Sequence, residues 1–185
     1  MFRRTTMSLQ ELLEGEKKVK SALLDTYGWP LTIASIEDKL SLIVEHAPLD
    51  DNLEAVLVPD EHANGRIQLN EKYVDDEEFD YLHEVIHYLV DVGIGNKVQQ
   101  TYPRQRVGNS NDPHERTIDY MAAVALVPGN ELLTRLEQYK KQWFKIDEIK
   151  FMESLKNEFK CSSSCLQKRV REVQRLSRHK LLPLD

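Results

Sequence analysis

The sequence predicts an α+β fold in which a small, partly antiparallel three-stranded sheet packs with a set of helices. Three short runs with strand character lie between residues 40 and 69, separated by segments dense in turn residues. From about residue 75 onward, apolar residues instead recur at helical spacing. The 185 residues are 41% hydrophobic and 30% charged, which is typical of one globular domain and excludes a collagen-like or wholly disordered chain.

The first two predicted elements are helices. Residues 8–27 have the apolar stripe of an amphipathic helix, and Ser8 with Glu11 three positions later predicts a capping box at its start. Gly28-Trp29-Pro30 breaks this helix, and residues 32–39 are predicted to form a second, shorter one.

Three strands follow the second helix. They are predicted at residues 40–44, 54–58 and 66–69. The pair Asn64-Gly65, just before the third strand, is typical of a hairpin. We therefore expect at least one antiparallel pairing in the sheet.

The middle of the chain is predicted to be a helix followed by a long loop. Acidic residues 75–78 favour a helix N-terminus, because the helix dipole is positive there. Gly93 and Gly95 are predicted to end this helix. Residues 96–113 show little periodicity, so we expect a loop there.

The rest of the chain is predicted to be helical. Asp112 suits an N-cap and Pro113 the first position of a helix, which Pro128 then stops. Two further helices are predicted over residues 129–160 and a basic one over residues 162–180.

The charge of the chain is unevenly distributed. The net charge is −6, which argues against a protein that coats nucleic acid through its overall charge. Residues 156–180 nevertheless carry +6, so the remainder carries −12. Val170, Val173 and Leu176 form an apolar stripe there, and we expect the charges on the opposite face. We favour a basic face that contacts only solvent over one that contacts nucleic acid.

Neither a secretion signal nor a membrane span is expected. The N-terminal residues lack an apolar run that ends in small residues, and no segment approaches the roughly 18–20 apolar residues that a spanning helix needs. Cys161 and Cys165 lie four apart, which suits neither a disulfide nor a four-ligand zinc knuckle. We therefore expect two reduced thiols in a cytoplasmic protein with no membrane partner.

The residues that carry chemistry are His83-Glu84-Val85-Ile86-His87. Side chains four apart on a helix share a face, so the imidazoles of His83 and His87 converge, with Glu84 beside them. Two neutral imidazoles suit a zinc ion, and an adjacent carboxylate suits the removal of a proton from water. Chance produces this pattern roughly 0.02 times in a chain of this composition, so two incidental histidines are the weaker interpretation.

A catalytic zinc ion needs a third protein ligand. No histidine follows His87 before His114, so a third histidine soon after the motif is excluded. Glu115 and Asp119 lie four apart on the next predicted helix, so both project from one face. Glu115 suits the third ligand, and Asp119 suits a carboxylate that orients a liganding imidazole. In the alternative, Glu115 completes a capping box with Asp112. We favour Glu115 as the third ligand and keep His114 as the reserve candidate for that position.

Two segments resemble the ImmA/IrrE family of metallo-endopeptidases. Residues 81–89 contain the HExxH motif, and residues 115–128 are similar to the family helix E-x-x-A-N-x-F-A-A-x-L-L-M-P. The strand before the motif and the C-terminal residues 155–170 extend the resemblance to about residues 30–180.

The resemblance implies a role for each residue of the site. His83, His87 and Glu115 would bind zinc, and Glu84 would be the general base. Asp119 stands where the family usually has Asn, and either residue can accept a hydrogen bond from a liganding histidine.

The sequence departs from the family pattern around the motif. Leu82, Ile86 and Met121 replace a usual Ala, Gly and Phe. These changes bear on packing and on the shape of the cleft more than on metal binding. The donor that would stabilise an oxyanion is left open between Tyr102 and His114.

The resemblance also implies an architecture and a function. A zincin-like metallopeptidase domain would span residues 1–150, and a helix-turn-helix-like basic tail over residues 151–185 would pack on it. The substrate would be a protein, namely a helix-turn-helix transcriptional repressor cut by limited proteolysis in mobile-element or stress regulation. The alternative is a non-catalytic regulatory module that binds DNA or a repressor through Arg169, Arg171 and Arg175.

Overall fold

The computed structural model describes residues 7–73, 77–105, 112–142 and 147–184. Its strands are β1 (Leu42–Ala47), β2 (Leu53–Val58), β3 (Gly65–Asn70) and β4 (Tyr102–Gln105). They form a mixed sheet in the order β1-β3-β2-β4. β1 and β3 are parallel, and β2 is antiparallel to both of its neighbours. The α+β class and the antiparallel pairing are therefore confirmed.

The prediction of three strands was wrong, because a fourth strand lies inside the segment predicted to be a loop. β4 has only four residues, and Pro103 is its second. A proline donates no ladder hydrogen bond, so it is tolerated at the edge position that β4 occupies. Such a short run with proline carries no alternating apolar pattern. Residues 106–111 of the predicted loop lie outside the described residues.

β2 and β3 form the predicted hairpin, but six residues (59–64) connect them instead of a two-residue turn. Asn64 uses its side-chain amide to bond the Leu40 carbonyl, 2.8 Å away. Gly65 begins β3, where a Cβ atom would lie 2.5 Å from Cγ2 of Val98. Glycine is needed here because the chain that leads to β4 passes close to the backbone.

The other regular elements of the described residues are helices. They are α1 (Leu9–Val19), α2 (Asp25–Tyr27), α3 (Ile33–Leu40), α4 (Glu77–His87), α5 (Pro113–Leu126), α6 (Gly129–Gln142), α7 (Glu148–Phe159) and α8 (Ser163–Arg178). Lys20–Leu24 and Tyr88–Val92 are π-helical and continue α1 and α4. α4 packs between the sheet and α5, and α1 packs against α5 and α8. No helix within the described ranges has both the length and the apolar character needed to cross a membrane.

Several predicted helix ends are confirmed. Ser8 and Glu11 form the capping box, and Asp112 caps α5 with Pro113 at its first position. Gly93 ends the π-helical turn after α4 with a φ of 89°. Of the acidic run 75–78, the first two residues lie outside the described residues.

The C-terminal helix differs from the predicted arrangement at one arginine. Arg169 was expected on a charged outer face, but its side chain is fully buried. It forms ion pairs with Glu16 of α1 at 2.6 Å and with Glu172 at 3.1 Å. The prediction was wrong because α1 offers a buried carboxylate, which sequence spacing within α8 does not reveal. The helix-turn-helix character of the tail is not confirmed, and the boundary at residue 150 stays a prediction.

Candidate metal centre

The HExxH residues lie in the most enclosed part of α4. Every residue from Asp80 to His87 is buried, because α4 is covered by the sheet on one side and by α5 on another. His83, Glu84 and His87 are exposed by only 1%, 0% and 3%. Polar residues this deep in a core need partners, and α5 supplies carboxylates to the two histidines.

Two imidazoles from α4 and one carboxylate from α5 lie close together. Nε2 of His83 and Nε2 of His87 are 3.1 Å apart. Oε2 of Glu115 lies 3.4 Å from the former, and its other carboxylate oxygen, Oε1, lies 3.5 Å from the latter. A tetrahedral zinc ion with bonds of about 2.0–2.1 Å sets its ligand atoms about 3.3–3.4 Å apart. The separations between these three ligand groups, 3.1–3.5 Å, are therefore close to those between ligands of one zinc ion.

The other ring nitrogens of the two histidines face carboxylates. Nδ1 of His83 is 3.1 Å from Asp119, and Nδ1 of His87 is 2.7 Å from Asp91. A carboxylate accepts a hydrogen bond, so it favours the tautomer with the proton on Nδ1. Both Nε2 lone pairs then point toward one another, which is favourable only with a cation between them. The donor set thus fits a divalent ion.

The electrostatics of His87 and Glu115 favour metal binding. Burial lowers the pKa of His87, which favours the neutral imidazole that binds metals. For His83, burial acts in the same direction, but hydrogen bonds to Asp119 and Glu115 outweigh it and raise the pKa. The hydrogen bond with His83 lowers the pKa of Glu115 and so keeps this carboxylate charged.

Glu84 differs from the other acids of the site. Its side chain is fully buried, and neither carboxylate oxygen has a hydrogen-bond partner among the described residues. Burial raises the pKa of Glu84 to about 8. A buried carboxyl with both oxygens unused and a pKa near neutrality can accept a proton and return it.

The start of α5 places Glu115 beside the imidazoles. The Asp112 side chain accepts a hydrogen bond from the backbone N–H of His114, which fixes the first turn of the helix. The Glu115 carboxylate of that turn is directed at His83 and His87. Asp119, one turn further along α5, is 3.1 Å from Nδ1 of His83. The predicted ligands and the predicted second carboxylate therefore lie together.

His114, the reserve ligand, lies on the other side of His87. Its Nε2 is 3.1 Å from Asp91, and its ring centre is 5.9 Å from that of His87. His87, Asp91 and His114 form a second group that could hold an ion. However, the 2.7 Å between His87 and Asp91 is a hydrogen-bond distance, shorter than that between two ligands of one zinc ion. The Tyr102 ring centre is 5.4 Å from that of His87, and the choice of oxyanion donor stays open.

Two residues near the site were not predicted from the sequence. Asp91 follows His87 by four positions and shares its helical face, so the spacing could have identified it. Arg104 of β4 lies within hydrogen-bond distance of Asp80, His83 and Asp119. No sequence signal pointed to Arg104, because its segment was predicted to be a loop.

One family model matches the chain. It is described as Peptidase M78, IrrE N-terminal-like domain, and it matches residues 38–171. This range contains the whole sheet, the HExxH helix, the helix that carries Glu115 and Asp119, and Arg104. No curated protein matches the chain.

Proposed function

Because the chain belongs to the Peptidase M78 family of IrrE N-terminal-like domains, which are metallopeptidases, we propose that it is a zinc-dependent endopeptidase. His83, His87 and Glu115 would hold the ion. The observation that carries this proposal is the close approach of their ligand groups, with nearest nitrogen and oxygen atoms 3.1–3.5 Å apart. Two imidazoles and one carboxylate, with the fourth position open, are a typical donor set for catalytic zinc.

Each residue of the site has a task in peptide hydrolysis. The bound ion would supply a Lewis acid for the scissile carbonyl and lower the pKa of water beside it. Glu84 accepts the proton of the attacking water and delivers it to the leaving amine. A cation bound beside it would lower the pKa that burial raises, which favours the carboxylate needed to accept the proton. Asp119 and Asp91 hold the Nδ1 sides of the two histidines, so that both Nε2 atoms stay directed at the ion.

The proposed substrate is a protein, and specifically a helix-turn-helix transcriptional repressor cut at a limited number of sites. The support for this substrate is the resemblance to the ImmA/IrrE family. Mobile-element or stress regulation would be the setting, with a cytoplasmic location.

Replacement of the general base tests the proposed activity. Glu84→Gln keeps the size of the side chain and the three ligands but removes the proton acceptor. We expect zinc content near one equivalent in both wild type and variant, with new substrate N-termini in cells that produce the wild type but not in cells that produce Glu84→Gln. Glu78→Gln is the matched control on the same helix, because Glu78 contacts Lys160 instead of the site. Equal cleavage by Glu84→Gln and wild type would refute the proposal.

The same experiment separates the alternative of a non-catalytic module. A cellular effect that persists in Glu84→Gln, with no new N-termini in either strain, would support binding through the basic tail. No observation favours this alternative, and Arg169, one of its three arginines, is buried in an ion cluster.

A further inference from the structure

We propose that Arg104 is a positioning residue of the metal centre. From the edge strand β4 it holds Asp119, and through Asp119 it keeps the His83 imidazole in the orientation that binds the ion. The inference rests on the proposed metal site, and it is tested by metal affinity instead of cleavage.

Arg104 joins the sheet to both helices of the site. Its Nη1 donates a hydrogen bond to Asp119 of α5 at 2.9 Å, and its Nε donates one to Asp80 of α4 at 2.8 Å. Nε also lies 3.4 Å from Glu54 of β2, and the guanidinium carbon lies 4.8 Å from the centre of the Phe79 ring. Because only 15% of the Arg104 side chain is exposed, these charged hydrogen bonds are little screened by water.

Arg104 and His83 share one acceptor. Oδ1 of Asp119 is 2.9 Å from Nη1 of Arg104 and 3.1 Å from Nδ1 of His83. The two nitrogens are themselves only 2.8 Å apart. A guanidinium cannot accept a hydrogen bond, so both nitrogens donate to Asp119 when the His83 proton is on Nδ1. That tautomer leaves Nε2 of His83 for the ion.

The position of the Asp119 carboxylate decides which tautomer His83 adopts. Nη1 of Arg104 already lies within hydrogen-bond distance of Nδ1 of His83, so if this carboxylate turned away, the Arg104 N–H would donate to Nδ1 and the ring proton would be on Nε2. A protonated Nε2 cannot bind a metal ion. The hydrogen bond from Arg104 keeps the Asp119 carboxylate within reach of Nδ1 of His83, and this acceptor favours the tautomer with the proton on Nδ1.

Arg104 also balances the charge of the cluster. Asp80 is almost fully buried and Asp119 is partly buried, with 4% and 39% of their side chains exposed. Without Arg104 these two carboxylates would lose their shared cation, and Asp119 would gain more from facing solvent than from facing His83. The loss of Arg104 should therefore weaken ion binding because Asp119 changes position. Removal of the Asp119 charge should reduce this loss of affinity.

A double-mutant cycle on zinc affinity tests this route, with a chelator as competitor. We expect Arg104→Gln to weaken zinc binding by about 10- to 100-fold, the range typical of groups that orient ligands. Asp119→Asn keeps an acceptor oxygen for Nδ1 of His83, so we expect a loss of only a few-fold. The double variant should bind zinc as well as Asp119→Asn alone. Arg66→Gln is the matched control, because Arg66 also bridges two carboxylates, Glu45 and Asp60, but on β3 and without contacts to the site.

Chemical rescue separates positioning from a purely structural role. A cavity of about 270 Å³ is lined by Arg104 and Asp119 and opens beside them, so a free guanidinium ion can enter where the side chain is cut back. We expect guanidinium to restore zinc affinity to Arg104→Ala, while sodium chloride at the same concentration does not. Arg66→Ala, already close to the wild type in affinity, should gain nothing from guanidinium.

Two results would overturn the proposal. One is wild-type zinc affinity in Arg104→Gln, and the other is a loss in the double variant equal to the product of the single losses. If Arg104→Gln does not fold, Arg104→Lys replaces it, because lysine keeps the charge without the planar guanidinium. Wild-type zinc affinity in Arg104→Lys would also contradict a positioning role. A chain that binds zinc but cleaves nothing would refute only the proposed protease. A wild type that binds no zinc would refute both proposals.

Discussion

Arg169 has no exposed surface, and its replacement should destabilise the fold strongly. Its guanidinium is 2.6 Å from Glu16 and 3.1 Å from Glu172, and two of its nitrogens donate to the Val127 carbonyl at 3.1 Å. Removing one partner of a buried ion pair costs about 3–5 kcal/mol. Glu16 keeps contacts with the Tyr120 hydroxyl and the Gly129 N–H, both at 3.3 Å. We therefore expect Arg169→Met to cost about 3 kcal/mol, the lower end of that range.

Urea denaturation followed by circular dichroism measures this loss. With a urea m value of about 2 kcal/mol/M, the midpoint should fall by about 1.5 M. The matched control is Arg171→Met on the same helix, where the arginine is exposed and the change should stay within about 0.5 kcal/mol. The double variant Glu16→Gln with Arg169→Met should be more stable than Arg169→Met alone, because no unpaired charge remains at Glu16. Equal effects at Arg169 and Arg171 would refute the assignment of Arg169 to the core.

Three further predictions concern other parts of the fold. Gly15→Ala should lower the free energy of unfolding by about 1–3 kcal/mol in urea denaturation, because its Cβ would lie 2.5 Å from Cε1 of the buried Tyr120; an unchanged midpoint would contradict this packing. Zinc at 100 times its Kd should stabilise the wild type by about 2.7 kcal/mol in a thermal-shift assay. The gain should be much smaller in Glu115→Gln, whose amide is a weaker ligand, and equal gains would argue against Glu115 as a ligand. Trp29→Phe should cost about 1 kcal/mol in urea, because it removes the 3.3 Å hydrogen bond to the Leu126 carbonyl; a neutral result would show that this bond adds nothing.

Local signals predicted much of the fold. The capping box at Ser8 and the start of α5 at Asp112-Pro113 were correct, because caps and prolines act within a few residues of their own position. β4 could not be predicted in this way. It is a strand because β2 offers it an antiparallel partner, and that pairing joins residues about 50 positions apart in the chain.

The same distinction between local signals and long-range contacts applies to the candidate site. The spacing of His83 and His87 and the position of Glu115 at the start of a helix could be derived from helical geometry. Arg104 could not, because it reaches the site only once β4 is paired with the sheet. Arg169 was misplaced for a related reason, since its counter-ion Glu16 lies 153 positions away on α1.

The central claim is that His83, His87 and Glu115 bind one metal ion. X-ray absorption and anomalous scattering at the zinc edge, recorded on crystals of the zinc-loaded protein, test it most directly. We expect one ion per chain, bound by two ring nitrogens and a carboxylate oxygen at about 2.0–2.2 Å. An ion held instead by His87, Asp91 and His114, or no ordered ion at saturating zinc, would contradict the claim.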